Sequence, residues 1–244
     1  MPEAQRAKRK RDNRVAILQS CYLPWKGYFD IIGSVDVFVV YDDVQYSKNH
    51  WHNRNLVKTQ HGPKWLTVPV SKSSGSFQNI EDVRLPSPFL EKHWQIIEQS
   101  YARAQHFSTM APQLKQLFEH AEQFRSLSEL NLQFLRGIAG MLGFTTKFVL
   151  SRDLVGRGTR TERLVAICQE LGADRYLSGP AAKAYLEEEQ FAAAGIGVRW
   201  MDYSGYPAYP QLHGDFEHSL SIIDLILNTG YQARQYMKAP VELG

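Results

Sequence analysis

Between residues 19 and 58 the chain gathers side chains that could bind and transform a small ligand. Gln19, Tyr22, Trp25, Gly27 and Tyr28 fall in one polar, aromatic run, and Asp42, Asp43, Gln45, Tyr46, Lys48, Trp51, Asn53, Arg54 and Lys58 in a second. A carboxylate such as Asp42 or Asp43 could hold a metal or act as a base. Adjacent residues of an extended segment point opposite ways, so at most one of the two is expected to face a given site, and capping of the next turn is the structural alternative. Lys48 and Arg54 are cations suited to phosphate or carboxylate. Trp25, Tyr28, Tyr46 and Trp51 could stack on a sugar or base, or simply cover the end of a sheet.

Three other groups read as structural. His50 and His52 alternate as metal ligands on an extended segment can, but no third ligand accompanies them, so no metal site is expected. Cys21 has no basic partner nearby in sequence and reads as a polar or buried thiol. In Ser178-Gly179-Pro180-Ala181-Ala182-Lys183, Pro180 fits a first helical turn whose amides could hold an anion near Lys183; an ordinary strand-to-helix turn explains the same residues.

Such groups need strands to position them. Val15 to Gln19 and Val37 to Tyr41 are short, β-branched runs flanked by turns, which predicts buried strands, with a short helix from Phe29 to Ser34 between them. Loops at strand ends are where ligand groups converge in an α/β sheet. Further strands are expected at Trp65 to Val70, Ile80 to Leu85, Lys147 to Leu150, Arg175 to Leu177 and Gly197 to Met201. Apolar spacings of three and four predict helices over Phe89 to Ala104, Pro112 to Phe124 and Leu127 to Leu142. Thr159 and Glu162 have capping-box spacing ahead of a helix through Leu171. A last helix, Leu220 to Asn228, is expected with Ser219 as its N-cap and Gly230 past its end.

The 244 residues are 43% hydrophobic and 22% charged, which describes a globule with room for a substantial core. The formal charge of +3 is concentrated at the start: Arg6, Lys8, Arg9, Lys10, Arg11 and Arg14 stand against Glu3 and Asp12, and the remainder is nearly neutral. That pattern reads as a solvated tail and argues against a general nucleic-acid binder. No apolar run is long enough for a signal peptide or membrane span, and two cysteines make no disulfide framework, so a cytoplasmic protein without membrane insertion is expected. The expected fold is α/β: a mainly parallel, nucleotide-binding-like sheet flanked by helices, with an inserted helical subdomain. Its divisions are a basic tail (1–14), an N-terminal α/β part (15–88), the helical insertion (89–146), a C-terminal α/β part (147–230) and a tail (231–244).

The order Gln19, Tyr22, Pro24-Trp25, Gly27-Tyr28-Phe29, Asp36, Phe38, Asp42, Gln45-Tyr46, Lys48, Trp51 and Asn53-Arg54 resembles the WbqC-like family of bacterial proteins. The likeness continues through Trp65 to Val70, Ser100-Tyr101, Leu130-Asn131, Tyr176 to Gly179, Phe191, Gly195-Ile196 and Leu220 to Asp224, with Asn228 and Gly230. It spans roughly residues 15–230. Two positions depart from the family pattern: Ser20 follows Gln19 where Pro is usual, and Cys21 replaces Ser or Asn. The resemblance implies a role in surface-polysaccharide (O-antigen) assembly and a transferase acting on amino sugars; it specifies no cofactor.

On that basis the expected reaction is acyl or aminoacyl transfer to the amine of a nucleotide-linked amino sugar. Asp42, Lys48 and Arg54 would be catalytic, with the acceptor held by Gln19, Tyr22, Trp25, Gly27, Tyr28, Gln45, Tyr46, Trp51, Asn53, Ser178 and Lys183. Partners would be a sugar nucleotide and an acyl donor, with aminoacyl-tRNA as the one nucleic acid in view. ATP-dependent ligation through an acyl adenylate, and sugar-nucleotide binding without catalysis, are the alternatives. A weaker likeness, to the nucleotide-binding fold of nucleotidyltransferases, lacks their His-x-Gly-His element: here Trp25-Lys26-Gly27-Tyr28 stands in that place.

Overall fold

A computed structural model of the chain describes residues 12–71, 77–86 and 88–240. Most of the expected basic tail therefore lies outside the described residues. Five strands, β1 (Arg14–Leu18), β2 (Val37–Val40), β5 (Lys147–Leu150), β6 (Arg175–Ser178) and β7 (Gly197–Trp200), form one parallel sheet in the order β5-β2-β1-β6-β7. The antiparallel hairpin β3 (Arg54–Thr59) and β4 (Gly62–Thr67) stands apart from it. The fold is thus α/β, with helices on both faces of the parallel sheet.

Period-two alternation sorts the strand residues between the two faces. Ala16, Phe38, Val40 and Leu177 join one apolar cluster with helix α1 (Lys26–Gly33) and with α2 (Leu90–Tyr101), α3 (Phe107–Ala121), α4 (Leu127–Met141) and α7 (Ile222–Thr229). Val15, Ile17, Val39 and Tyr176 join the other, with α5 (Arg160–Glu170) and α6 (Glu188–Ala193). Burial on both faces is why the central strands β1 and β2 are short apolar runs with little alternation in polarity. The crossover from β1 to β2 passes through α1 on one face, and that from β5 to β6 through α5 on the other. The winding direction therefore reverses between β1 and β6, and a crevice is left at the carboxyl ends of those strands.

Several elements differ from their sequence-based expectation. Ile80 to Leu85 is no strand: Ile80–Asp82 is a 3-10 turn, since its bonds go to the loop carbonyls of Val44 and Asp42 rather than to a neighbouring strand. Helix α1 begins at Lys26, three residues early, with Trp25 at its cap. Helix α3 begins at Phe107, so Pro112 lies inside it. Helix α7 is capped by Ser221, whose hydroxyl accepts from the Ile223 amide at 3.3 Å, two residues beyond the expected Ser219. The capping box of Thr159 and Glu162 forms as its spacing predicts.

Of the segment expected as a C-terminal tail, Gly230–Tyr236 is a 3-10 helix with Ala233 in the core. Beyond it the amides of Lys238 and Ala239 donate to the buried Asp30 carboxylate of α1 at 2.9 and 2.8 Å, and the Tyr206 hydroxyl donates to it at 2.5 Å.

Tyr22 is fully buried, and its hydroxyl donates to His93 Nδ1 at 2.8 Å. Burial lowers the His93 pKa to about 4, opposed by its bond to the Thr67 backbone. The unfolded chain takes up this proton near pH 6.5 and the folded one only near pH 4, so His93 draws down stability as pH falls through that window. Asp30, Asp42 and Asp224, raised by burial, act with the opposite sign at the acid end. We expect the loss in urea midpoint between pH 7 and pH 4.5 to be smaller in His93→Gln than in the parent; equal losses would exclude His93 as a source.

Candidate functional site

The crevice predicted by the strand order holds a cavity of about 470 Å³, within the size range of small-molecule sites. Gln19 and Cys21 reach it from the end of β1, Tyr41 from the end of β2, Ser178 and Gly179 from the end of β6, and Arg160 and Thr161 from the start of α5. Tyr28, Tyr176 and Tyr185 add rings, and His50 and His52 enter from the loop before β3.

His52 is 2% exposed, and its Nδ1 lies 3.0 Å from the Ser20 carbonyl oxygen. A carbonyl can only accept, so Nδ1 carries the proton and Nε2 keeps its lone pair. Burial lowers the His52 pKa, with smaller opposing contributions from the Ser20 bond and Asp42, and the ring is neutral at physiological pH. The rings of His50 and His52 lie 4.8 Å apart.

The loops around this cavity are held from behind by α4. Ser128 donates to Asp42 Oδ2 at 2.5 Å, and Asn131 Nδ2 donates to Ser20 Oγ at 3.0 Å and to the His52 carbonyl at 2.9 Å. Asp42 Oδ1 accepts from the Ser20 amide at 2.8 Å. Asp42 is 3% exposed and burial raises its pKa. Its oxygens are turned to these two donors, and it is not among the residues lining the cavity. Asp43 is engaged too, by Ser151 at 2.5 Å and by an ion pair with Arg163.

Of the residues expected from sequence to be catalytic or to hold the acceptor, Gln19, Tyr28 and Ser178 line this cavity. Trp25, Tyr28 and Trp51 line a second, of about 230 Å³. The remainder are placed elsewhere. Tyr22 and Asn53 are buried, Asn53 donating to the Val68 carbonyl at 3.1 Å. Gln45 bridges to Asn79, and the Tyr46 ring packs 6.2 Å from that of His52. Lys48 is exposed, the Arg54 guanidinium sits 4.2 Å above the Trp65 ring, and the Lys183 ammonium lies 5.6 Å from that of Trp200. Tyr28, Asp42 and Arg54 thus do not share one hollow.

Cys21 is half-buried, its Sγ 3.9 Å from the Gln19 carbonyl, which also accepts from Tyr28 at 2.8 Å. Burial, and then the charge of Asp42, push its pKa up, so it stays a thiol. Among the described residues no group of three or more His, Cys, Asp or Glu could hold a metal ion. No described helix is long and apolar enough to cross a membrane.

Sequence reasoning set His52 aside as one of two surface histidines, passed over Arg160, and gave no role to Ser128 or to Asn131. The last two carried a signal: they are polar positions three apart among the apolar Leu127, Leu130 and Phe134 of α4, on a face that should be entirely core.

Fold and site together define a parallel α/β protein with a ligand-sized hollow at the carboxyl edge of its sheet. The WbqC-like protein family is matched over residues 19–236, and the chain belongs to that family. It is also 42% identical over 226 residues to the uncharacterized protein Rv1507c of Mycobacterium tuberculosis (strain ATCC 25618 / H37Rv), covering 92% of this chain and 97% of that protein. No solved structure matches it.

Proposed function

We propose that the chain is a group-transfer enzyme of bacterial surface-polysaccharide assembly, which acylates the amine of a nucleotide-linked amino sugar in the larger cavity. One observation carries the reading: His52, whose Nδ1 is committed to the Ser20 carbonyl, Arg160 and several tyrosines line one hollow at the reversal point of the sheet. In this reading Tyr28, Tyr41 and Tyr185 pack the sugar and base, and Arg160 holds a phosphate.

The amine nitrogen attacks the acyl carbonyl carbon, a C–N bond forms, and the bond from that carbon to the carrier's sulfur or oxygen breaks. The amine proton passes to His52 Nε2 and from there to the departing group. The base role first given to Asp42 moves to His52, and Asp42 becomes the residue that holds the loop. Phosphate binding moves from Lys48 and Arg54 to Arg160.

Calorimetry with a UDP- or dTDP-linked amino sugar tests the site. Binding is expected, and Arg160→Ala should weaken it by about 10- to 100-fold, the worth of a charge-assisted hydrogen bond. Absence of binding to either nucleotide sugar would reject the proposal. Product formation that depends on acyl-CoA or aminoacyl-tRNA supports transfer. ATP-dependent pyrophosphate release would replace it with the ligase, and binding without any turnover with the non-catalytic protein.

A further inference from the structure

The second hollow, about 230 Å³, lies beside the first and shares Cys21 and Tyr28 with it. Pro24, Trp25 and Trp51 supply apolar wall, and Asn55 and Ser219 are its remaining polar members. Trp25 is fixed as a wall by its packing. Its ring meets Tyr203 and Tyr206 edge-on at 5.0 and 5.8 Å, and it lies so close over α1 that a methyl group on Gly27 would fall 2.4 Å from it.

The polar members have little left to offer a ligand. Asn55 Nδ2 donates to the carbonyls of Tyr22 and Leu23 at 3.3 and 2.9 Å, and its Oδ1 accepts from the Leu56 amide at 2.8 Å. The Tyr28 hydroxyl and the Cys21 thiol are both directed at the Gln19 carbonyl. What remains among the residues of the slot is the Ser219 hydroxyl and the indole N–H groups of Trp25 and Trp51, of which only Ser219 can accept a hydrogen bond. A sugar ring placed here would bury hydroxyls with too few partners, at a cost for each one left unpaired, whereas a hydrocarbon forfeits nothing.

We infer that this slot takes the acyl group of the donor, as an apolar chain of up to about six carbons. An apolar cavity of about 150 Å³ is enough to admit benzene, and this one is larger. The inference rests on the larger cavity being the sugar-nucleotide site: with the chain seated against Trp25 and Trp51, the common wall at Cys21 and Tyr28 sets the acyl carbonyl next to the acceptor. Trp51 is 43% exposed, which puts the mouth of the slot, and the carrier, at the solvent edge.

The test uses straight-chain carboxamides from acetamide to octanamide, titrated against the full chain and followed by tryptophan fluorescence. Affinity should rise by about fourfold per added methylene up to about hexanamide and then level off. Ser219→Phe, at an exposed position on the slot, should remove the dependence on length while sugar-nucleotide binding to the larger cavity is retained. Should that variant fail to fold, Trp51→Ala is to be used, with hexanamide binding at least about fivefold weaker, the loss of one aromatic wall. A flat amide series in a protein that still binds the sugar nucleotide overturns the slot and leaves the proposed function standing. Displacement of hexanamide by N-acetylglucosamine would also overturn it, in favour of a sugar. A steep series in a protein that binds no sugar nucleotide strikes down the transferase reading and the donor assignment with it.

Discussion

His52→Asn is expected to lower turnover by about a hundred- to ten-thousandfold, the usual contribution of a positioned general base, while leaving sugar-nucleotide affinity within about threefold of the parent. The asparagine amide nitrogen stands where Nδ1 stood and can still donate to the Ser20 carbonyl, so the bond that holds the loop survives. What disappears is the ring lone pair opposite that bond. Because burial lowers the His52 pKa, the acid limb of kcat/KM should fall below pH 6.5, and the variant should lack that limb. Unchanged turnover would remove His52 from the chemistry. Loss of affinity and of the melting transition together would make it a scaffold residue.

The second large effect is on stability. Asp42→Ala should destabilise the fold by about 2 to 4 kcal/mol, because it strands the buried Ser20 amide and Ser128 hydroxyl together. Asp42→Asn should cost much less: its oxygen can accept from Ser20 and its amide can donate to the Ser128 oxygen. Urea midpoints of the two variants separate these expectations. An alanine variant that melts like the parent yet cannot turn over substrate would return Asp42 to the catalytic role.

The parallel sheet was legible from its central strands β1 and β2, short apolar runs between turns, and such runs keep their meaning when both faces are covered. The hairpin at Arg54–Thr59 was not, since Arg54, Asn55 and Lys58 make it read as a polar loop; only its pairing with Gly62–Thr67 makes it a strand. The site divided the same way. Gln19 and Ser178 were found because they sit at strand ends, where topology alone predicts a ligand, and Tyr28 because the helix that follows β1 starts just before it. Tyr22 and Asn53 were chosen for their chemistry but are spent inside the fold. His52 looked like a surface residue because what defines it is the carbonyl of Ser20, a partner 32 positions away that no local pattern announces.

The bonding of Asp30 ties the helix after β1 to the far end of the described residues. This carboxylate sits in α1, yet both of its amide donors belong to Lys238 and Ala239. The acid of α1 thus reaches its full set of bonds only once segments about two hundred positions apart have met, a closure that rewards the fold late because so long a loop must be ordered first.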